Sequence, residues 1–359
     1  MNTPVESHEL LVPGARSQLL FGPIEAAPSL TELLPTTPSS AVIVSDARIS
    51  THFRRGCCAW VEGSGIPTTE VTVSAGETLK SIPNWQRLLD RFHGARLDRG
   101  GVVVAVGGGT LSDAVGYAAA SWQRGVPWVV VPTTLLAMVD AAIGGKTGLN
   151  HCGVKNQVGA FHLPAVVQVD DQALQTLSAA EIRSGWGELL KAAVIGDADL
   201  FESMERGALS LREAPPLNVI ARAAQIKAEV VALDYAESGR RMVLNLGHTL
   251  GHALESESKH RGLAHGDAVM VGLIFAARVA EDMELAAPRL AERLDWVLSQ
   301  GDFPRRWNPA ISEPLLSLIA RDKKNRGDCL WMALPKDIGD VEVVEVPRGV
   351  VASRLRAGF

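Results

Sequence analysis

The chain is poor in cysteine, and the cysteines it has are not arranged to staple or chelate. Cys57, Cys58, Cys152 and Cys329 include no CxxC pair, so neither a zinc ribbon nor a disulfide framework is indicated. That usage suits a reducing compartment. Apolar runs such as Val126–Pro132 fall well short of the roughly 20 residues a spanning helix needs. The opening residues, MNTPVESHELLVPG, lack a basic stretch leading into an apolar one, so no secretory signal is expected and a cytoplasmic location is. Positive charge is not in excess either. A net charge of −5 gives no reason to expect nucleic acid or an anionic membrane as partner. Any anionic substrate must be met by locally placed lysines and arginines. Internal repeats, low-complexity tracts and the GxGxxG fingerprint are also missing.

What is present is a chain of 359 residues, 47% hydrophobic and 21% charged, with room for two domains and a large core. Residues 1–40, rich in Pro, Ser and Thr, predict a short strand and loops. Ala41–Asp46 and Val71–Val73 read as strands, and Pro83–Phe92 as a helix. Val102–Val106 then runs straight into Gly107-Gly108-Gly109. A helix over Ser112–Trp122 and a strand over Trp128–Val131 follow. Nearly all-apolar strands alternating with helices predict a parallel sheet covered on both faces. Beyond about residue 178 the pattern turns helical, over 179–206, 217–233, 240–258, 266–283 and 288–299. The expectation is a Rossmann-like α/β domain over 1–177 and an all-α domain over 178–359.

Four motifs carry chemistry. Glycines directly after a buried strand, Gly107 to Gly109, let backbone N–H groups approach a phosphate, and Asp113 follows as a cap or acceptor. After the next strand, Thr133, Thr134, Asp140, Lys146, Lys155 and Asn156 surround a glycine-rich stretch suited to an oxyanion-rich small molecule. Glu188 and Lys191 stand three apart on an otherwise apolar helix, which points them inward. Finally, Arg241, Asn245, His248 and His252, read as one helix, share a face at i, i+4, i+7 and i+11, with Lys227 and Glu237 before them and His265 after. Glu188, His248 and His265 form a carboxylate and two-imidazole set that leaves open positions on zinc or a similar cation.

In order, GGGTLSD, RGVPWVVVPTTLLAMVDAAIGGKTGLN, KNQVGAF, GELLK, ESGRRMVLNLGHTLGHALE, LAHGDAV and RDKKNRG resemble the 3-dehydroquinate synthase family of sugar phosphate cyclases, from about Asp46 to Asp340. The resemblance implies an N-terminal NAD-binding α/β domain and a C-terminal helical domain. It implies Glu188, His248 and His265 as ligands of zinc or cobalt. It implies His252, Lys146, Lys191, Asn245 and Arg241 as catalytic groups, and Arg124, Asp140, Asn156, Lys227, Glu237 and Lys323 as substrate contacts, with Lys324 adjoining Lys323. For NAD it implies Asp46, Glu77, Lys80, Gly107, Gly108, Gly109, Asp113, Thr133, Thr134, Lys155 and Thr176.

The implied activity is that of a carbon–oxygen lyase of the shikimate pathway, which leads to aromatic amino acids. Its substrate is a phosphorylated sugar acid, and the chain would be a homodimer. Oxidation at C5, phosphate elimination, reduction and an intramolecular aldol would turn 3-deoxy-D-arabino-heptulosonate 7-phosphate into 3-dehydroquinate, with NAD regenerated. Thr110-Leu111-Ser112, Trp186-Gly187, Asp234-Tyr235-Ala236 and Asp267 depart from the usual family pattern and mark a divergent member. An aminodehydroquinate synthase would use nearly the same pocket. A valiolone-type cyclase of sedoheptulose 7-phosphate would tend to change the positions of Lys227, Asn245 and Lys323. A metal-dependent NAD alcohol dehydrogenase shares the two-domain plan but has no need of the Lys146, Lys155, Lys191 and Lys227 cluster.

Overall fold

A computed structural model describes residues 5–258, 263–308, 310, 312–320 and 328–358. The chain divides into two units, Met1–Leu177 with Pro216–Tyr235, and Ser178–Pro215 with Ala236–Phe359. The boundary expected at 177/178 is the first of three crossings. A single boundary leaves out the helix around 217–233, which packs on the first unit. Among the described residues no helix is long and apolar enough to cross a membrane.

The first unit is built on a seven-stranded sheet. Its strands are β1 (Glu6–Val12), β2 (Ala15–Phe21), β3 (Ala41–Asp46), β4 (Thr68–Val73), β5 (Val102–Gly107), β6 (Trp128–Pro132) and, after a separate hairpin of β7 (Lys146–His151) and β8 (Val154–Phe161), β9 (Val166–Val169). The order across the sheet is β1-β2-β9-β6-β5-β3-β4. Only β1 and β2 pair antiparallel; the other neighbours are parallel. Every residue of β3, β5, β6 and β9 is buried, as runs such as VVVAV require of strands covered on both faces. The helices α1 (Leu30–Leu33), α2 (Thr51–Glu62), α3 (Ile82–Gly94) and α4 (Gly109–Ser121) lie between strands in the chain.

The chain runs outward from β3 to β4 and then returns to place β5 on the other side of β3. The carboxyl ends of β3 and β5 therefore flank a topological switch point, the usual ligand crevice of such sheets. Asp46 ends β3, and Gly107 ends β5. The stretch from Lys146 to Phe161, read from sequence as a glycine-rich loop, is instead the β7–β8 hairpin. Its glycines serve close pairing: a Cβ on Gly148 or Gly159 would lie 2.6 or 2.2 Å from the facing strand's carbonyl oxygen.

The second unit contains α5 (Ala179–Gly196) and α6 (Ala198–Glu205). After α7 (Leu217–Leu233), which belongs to the first unit, come α8 (His248–Glu257), α9 (His265–Asp282), α10 (Leu290–Ser299), α11 (Ser312–Ala320) and α12 (Arg348–Ala357). It also carries an antiparallel hairpin, β10 (Cys329–Asp337) with β11 (Asp340–Pro347), so this helical unit is not wholly α. Apolar on nearly all sides, α9 is buried from Gly266 to Ala277, as a central helix must be.

Two backbone crossings fix α9 against its neighbours. A Cβ on Gly266 would stand 2.0 Å from the Ser184 carbonyl oxygen of α5, and one on Gly187 would stand 2.6 Å from the Gly266 oxygen. At the second crossing a Cβ on Gly272 would stand 1.8 Å from the Gly247 oxygen. Gly247 itself, at φ 78°, breaks the single helix expected over 240–258 into a 3₁₀ segment, Arg240–Asn245, and α8.

Candidate active site

Each of the three side chains expected to ligate a metal sits beside one of these glycines. Glu188 follows Gly187 on α5, His248 follows Gly247 at the start of α8, and His265 precedes Gly266 at the start of α9. Helices that touch backbone to backbone bring their neighbouring side chains to one point. The Nε2 atoms of His265 and His248 lie 3.2 and 3.6 Å from Glu188 Oε1, and all three donor atoms lie within 4.8 Å of one another. Ligands held 2.0–2.1 Å from a tetrahedral zinc are separated by about 3.4 Å, so the spacing fits a small divalent cation.

Hydrogen bonds on the far side of each ring support the same conclusion. His248 Nδ1–H donates to the Leu246 carbonyl at 3.1 Å, and His265 Nδ1–H donates to Glu255 at 3.2 Å. These bonds turn both Nε2 atoms toward Glu188 and set their tautomers for ligation. Burial, reinforced by the Lys191 ammonium, pushes His248 down to about 3 despite the pull of Glu188. Burial also acts against a charged His265, but the bonded carboxylates of Glu188 and Glu255 outweigh it and raise the ring to about 10. Burial likewise opposes the charge on Glu188. The Lys191 ammonium and the two histidines prevail and hold that carboxyl well below the usual range.

Glu188 and Lys191 are both buried and form an ion pair one turn apart on α5. The ring of His252 lies 5.0 Å from that of His248 and 6.2 Å from that of His265. Asn245 donates to Glu237 at 3.2 Å, and the Arg241 side chain is fully buried. A pocket of about 160 Å³ opens beside this group, lined by Met242, Asn245, His248, Thr249, His252, Trp331, Ala333 and Val343. Glu255 escaped sequence reasoning, although it stands seven residues after His248 and therefore on the same helix face. Lys323 and Lys324 lie outside the described residues.

In the first unit the switch point gathers a second set. The buried Lys80 ammonium pairs with Asp113 and donates to Asn156. Glu77 accepts from Asn150 at 2.7 Å, and Asn150 accepts from the Asn156 N–H at 2.9 Å. Burial lifts the Asp113 carboxyl above its ordinary range even against Lys80. Gly107 accepts from the Thr133 N–H at 3.0 Å, and a Cβ on Gly108 or Gly109 would run into Thr134 or Ala141, at 3.0 and 2.8 Å. The turn must therefore be glycine, which leaves bare backbone at the N-terminus of the 13-residue α4, a cradle for a phosphate group. Asp46 is buried and held by Arg48 at 2.8 Å. Lys227 donates to both the carbonyl and the carboxylate of Asp140, each at 2.7 Å. Arg124, Lys146, Lys155 and Thr176 are exposed.

Residues 70–184 match the family described as 3-dehydroquinate synthase N-terminal, and residues 185–325 match 3-dehydroquinate synthase C-terminal. The chain belongs to the 3-dehydroquinate synthase family. It is 41% identical to the 3-dehydroquinate synthase of Gloeobacter violaceus over 87% of each chain, and 38% identical to that of a Nostoc species over 96% of this chain and 94% of the relative. Among solved structures, 2-epi-5-epi-valiolone synthase from Streptomyces hygroscopicus, with NAD⁺ and Zn²⁺ bound, shares 29% identity at a TM-score of 0.82 over 93% of this chain and 94% of its own. A 2-deoxy-scyllo-inosose synthase with carbaglucose-6-phosphate, NAD⁺ and Co²⁺ shares the fold at a TM-score of 0.86 and 24% identity, over 99% of this chain and all of its own.

Proposed function

We propose that the chain is a 3-dehydroquinate synthase, converting 3-deoxy-D-arabino-heptulosonate 7-phosphate to 3-dehydroquinate and phosphate. The observation that carries this reading is the buried Glu188–His248–His265 donor set with the Lys191 ammonium against it, in a chain about 40% identical to curated 3-dehydroquinate synthases. When bound, NAD accepts and returns one hydride at C5, and zinc or cobalt polarises that oxygen as a Lewis acid. Glu188, His248 and His265 hold the cation. Asp46, Glu77, Lys80, Asp113, Thr133, Thr134, Lys155, Thr176 and the glycines at 107–109 hold NAD.

The chain's other groups bind, orient and move protons. His252, one turn beyond a ligand, takes the proton of the alcohol and returns it after elimination. Lys146, Lys191, Lys227, Arg241 and Lys323 oppose the substrate's phosphate and carboxylate, which allows a chain of net charge −5 to bind a multiply charged anion. The bonds Lys227 donates to Asp140 hold it in place before substrate arrives, while Arg124, Asn156, Asn245 and Glu237 orient the hydroxyls. The departing phosphate takes the adjacent carbon's proton, so the later aldol asks mainly for a constrained geometry.

The test supplies purified protein with the heptulosonate phosphate, NAD⁺ and Zn²⁺ or Co²⁺. Phosphate and dehydroquinate should appear one to one with no net NADH. Turnover of sedoheptulose 7-phosphate but not the heptulosonate would refute the reading and favour the valiolone-type reaction. The active species is proposed as a cytoplasmic homodimer, and sedimentation of an active monomer would refute that assembly.

A further inference from the structure

The pocket beside His248 has two unlike walls. Asn245, His248, Thr249 and His252 make one polar. Met242, Trp331, Ala333 and Val343 make the other apolar. Strand geometry explains the apolar wall. Along β10, Leu330, Met332 and Leu334 are buried on one face, and the alternation turns Trp331 and Ala333 to the opposite face. Val343 of β11 pairs directly across from Ala333, on the same face. Trp331 is one of the few large apolar side chains left exposed, at 39%. The indole thus lines the pocket while part of it stays open to a ligand.

A ligand that fits both walls has one oxygen-rich edge and one face of C–H bonds. A hydroxylated saturated carbon ring has that form. A volume of about 160 Å³ is close to that of a ~150 Å³ cavity able to hold benzene, a six-membered ring of the same scale. We propose that Trp331 is a specificity-determining residue whose indole packs on the C–H face of the sugar phosphate ring, with the hydroxyls turned toward His248 and His252. None of the four side chains of the apolar wall carries a charge, so in this proposal the phosphate and carboxylate lie away from the hairpin. This rests on the proposed reaction and adds a contact on β10 that the resemblance does not assign.

The indole has roughly 250 Å² of surface, of which ~100 Å² stays open at 39% exposure. Covering half of that at ~25 cal/mol per Å² corresponds to about a tenfold effect on binding. The experiment compares wild type, Trp331→Phe and Trp331→Ala in phosphate-release kinetics, alongside zinc content and melting temperature. Trp331→Ala should raise KM about tenfold with kcat within about threefold. Trp331→Phe should restore most of that loss, and both variants should keep one zinc per chain. An unchanged KM in Trp331→Ala, or a fall in kcat alone, overturns the proposal. If wild type turns over only sedoheptulose 7-phosphate, the reaction assignment fails while the same KM comparison on that substrate decides Trp331. If wild type turns over neither sugar phosphate, both fall.

Discussion

Replacing Gly266 with alanine tests whether backbone contact between helices builds the metal centre. The added methyl would sit 2.0 Å from the Ser184 carbonyl oxygen and 2.6 Å from its carbonyl carbon and Cα. These are backbone atoms in the middle of α5 and cannot swing aside. Ordinary Cβ contact begins near 3.4 Å, so α5 and α9 must part by about 1.4 Å. Passed on to the side chains, that separation takes the 3.2 Å gap between His265 and Glu188 to roughly 4.6 Å. Two bonds of 2.0–2.1 Å cannot span more than about 4.2 Å, so a cation could keep only two of its three ligands. Overpacking of this kind costs roughly 1–3 kcal/mol, small enough that the fold survives with a melting point several degrees lower. Zinc content after dialysis, measured with circular dichroism on the same samples, should fall far below one per chain while helicity persists. Gly349→Ala, whose methyl would meet nothing within 4 Å, serves as control and should bind zinc like wild type. Full zinc occupancy at wild-type affinity in a folded Gly266→Ala protein would refute the reasoning.

Three further outcomes are expected. Glu255→Ala frees the His265 ring and should weaken zinc affinity about 10–100-fold in chelator competition, with Glu255→Gln intermediate; wild-type affinity would exclude the orienting role. His248→Ala should lose the metal, whereas His252→Ala should keep it and lose roughly 10²–10⁴ in rate; equal zinc loss in both would merge the two roles. The third concerns pH. His162 is held below its ordinary range chiefly by burial, against a bond its Nε2–H donates to the Val126 carbonyl at 2.9 Å. The unfolded chain therefore protonates first. The stability His162 contributes is complete above about pH 6.5 and is lost as pH falls from there through its depressed folded value. His162→Gln should flatten the fall in urea midpoint between pH 7 and 5, and an unaltered slope would count against this source.

The buried strands and the glycine turn were legible because all-apolar runs and glycine triplets have few other uses. Glu188 and Lys191 were expected to face inward, and both are buried. The hairpins were not legible. In β8 exposed and part-buried positions mix, so the period-2 signal is weak, and the glycines of β7–β8 look like loop residues until the facing carbonyls are seen. The continuous helix over 240–258 was misread for a related reason. Spacing put Arg241, Asn245, His248 and His252 on one face, but a glycine inside a helix costs about 1 kcal/mol against alanine, and Gly247 was the warning. It leaves the helix because Gly272 packs against its carbonyl, a partner 25 residues away that no local window contains. Glu255 was within reach of the same spacing rule that found the histidines, had it been carried one turn further.

The placement of α7 has a consequence for how the chain is made. This helix packs on β1, the first strand of the sheet, and on the π-helical turn Ala137–Ala141 of the same unit, yet it lies beyond α5 and α6 in the sequence. A ribosome adding 5–20 residues each second takes roughly 3–13 s to travel from the end of β9, the last strand of the sheet to be made, to the end of α7. Throughout that interval the first unit has every strand of its sheet but not the helix that covers β1, while parts of the second unit have already emerged. The nascent chain must wait with an incomplete first layer, and cutting the gene at residue 177 would leave it waiting permanently.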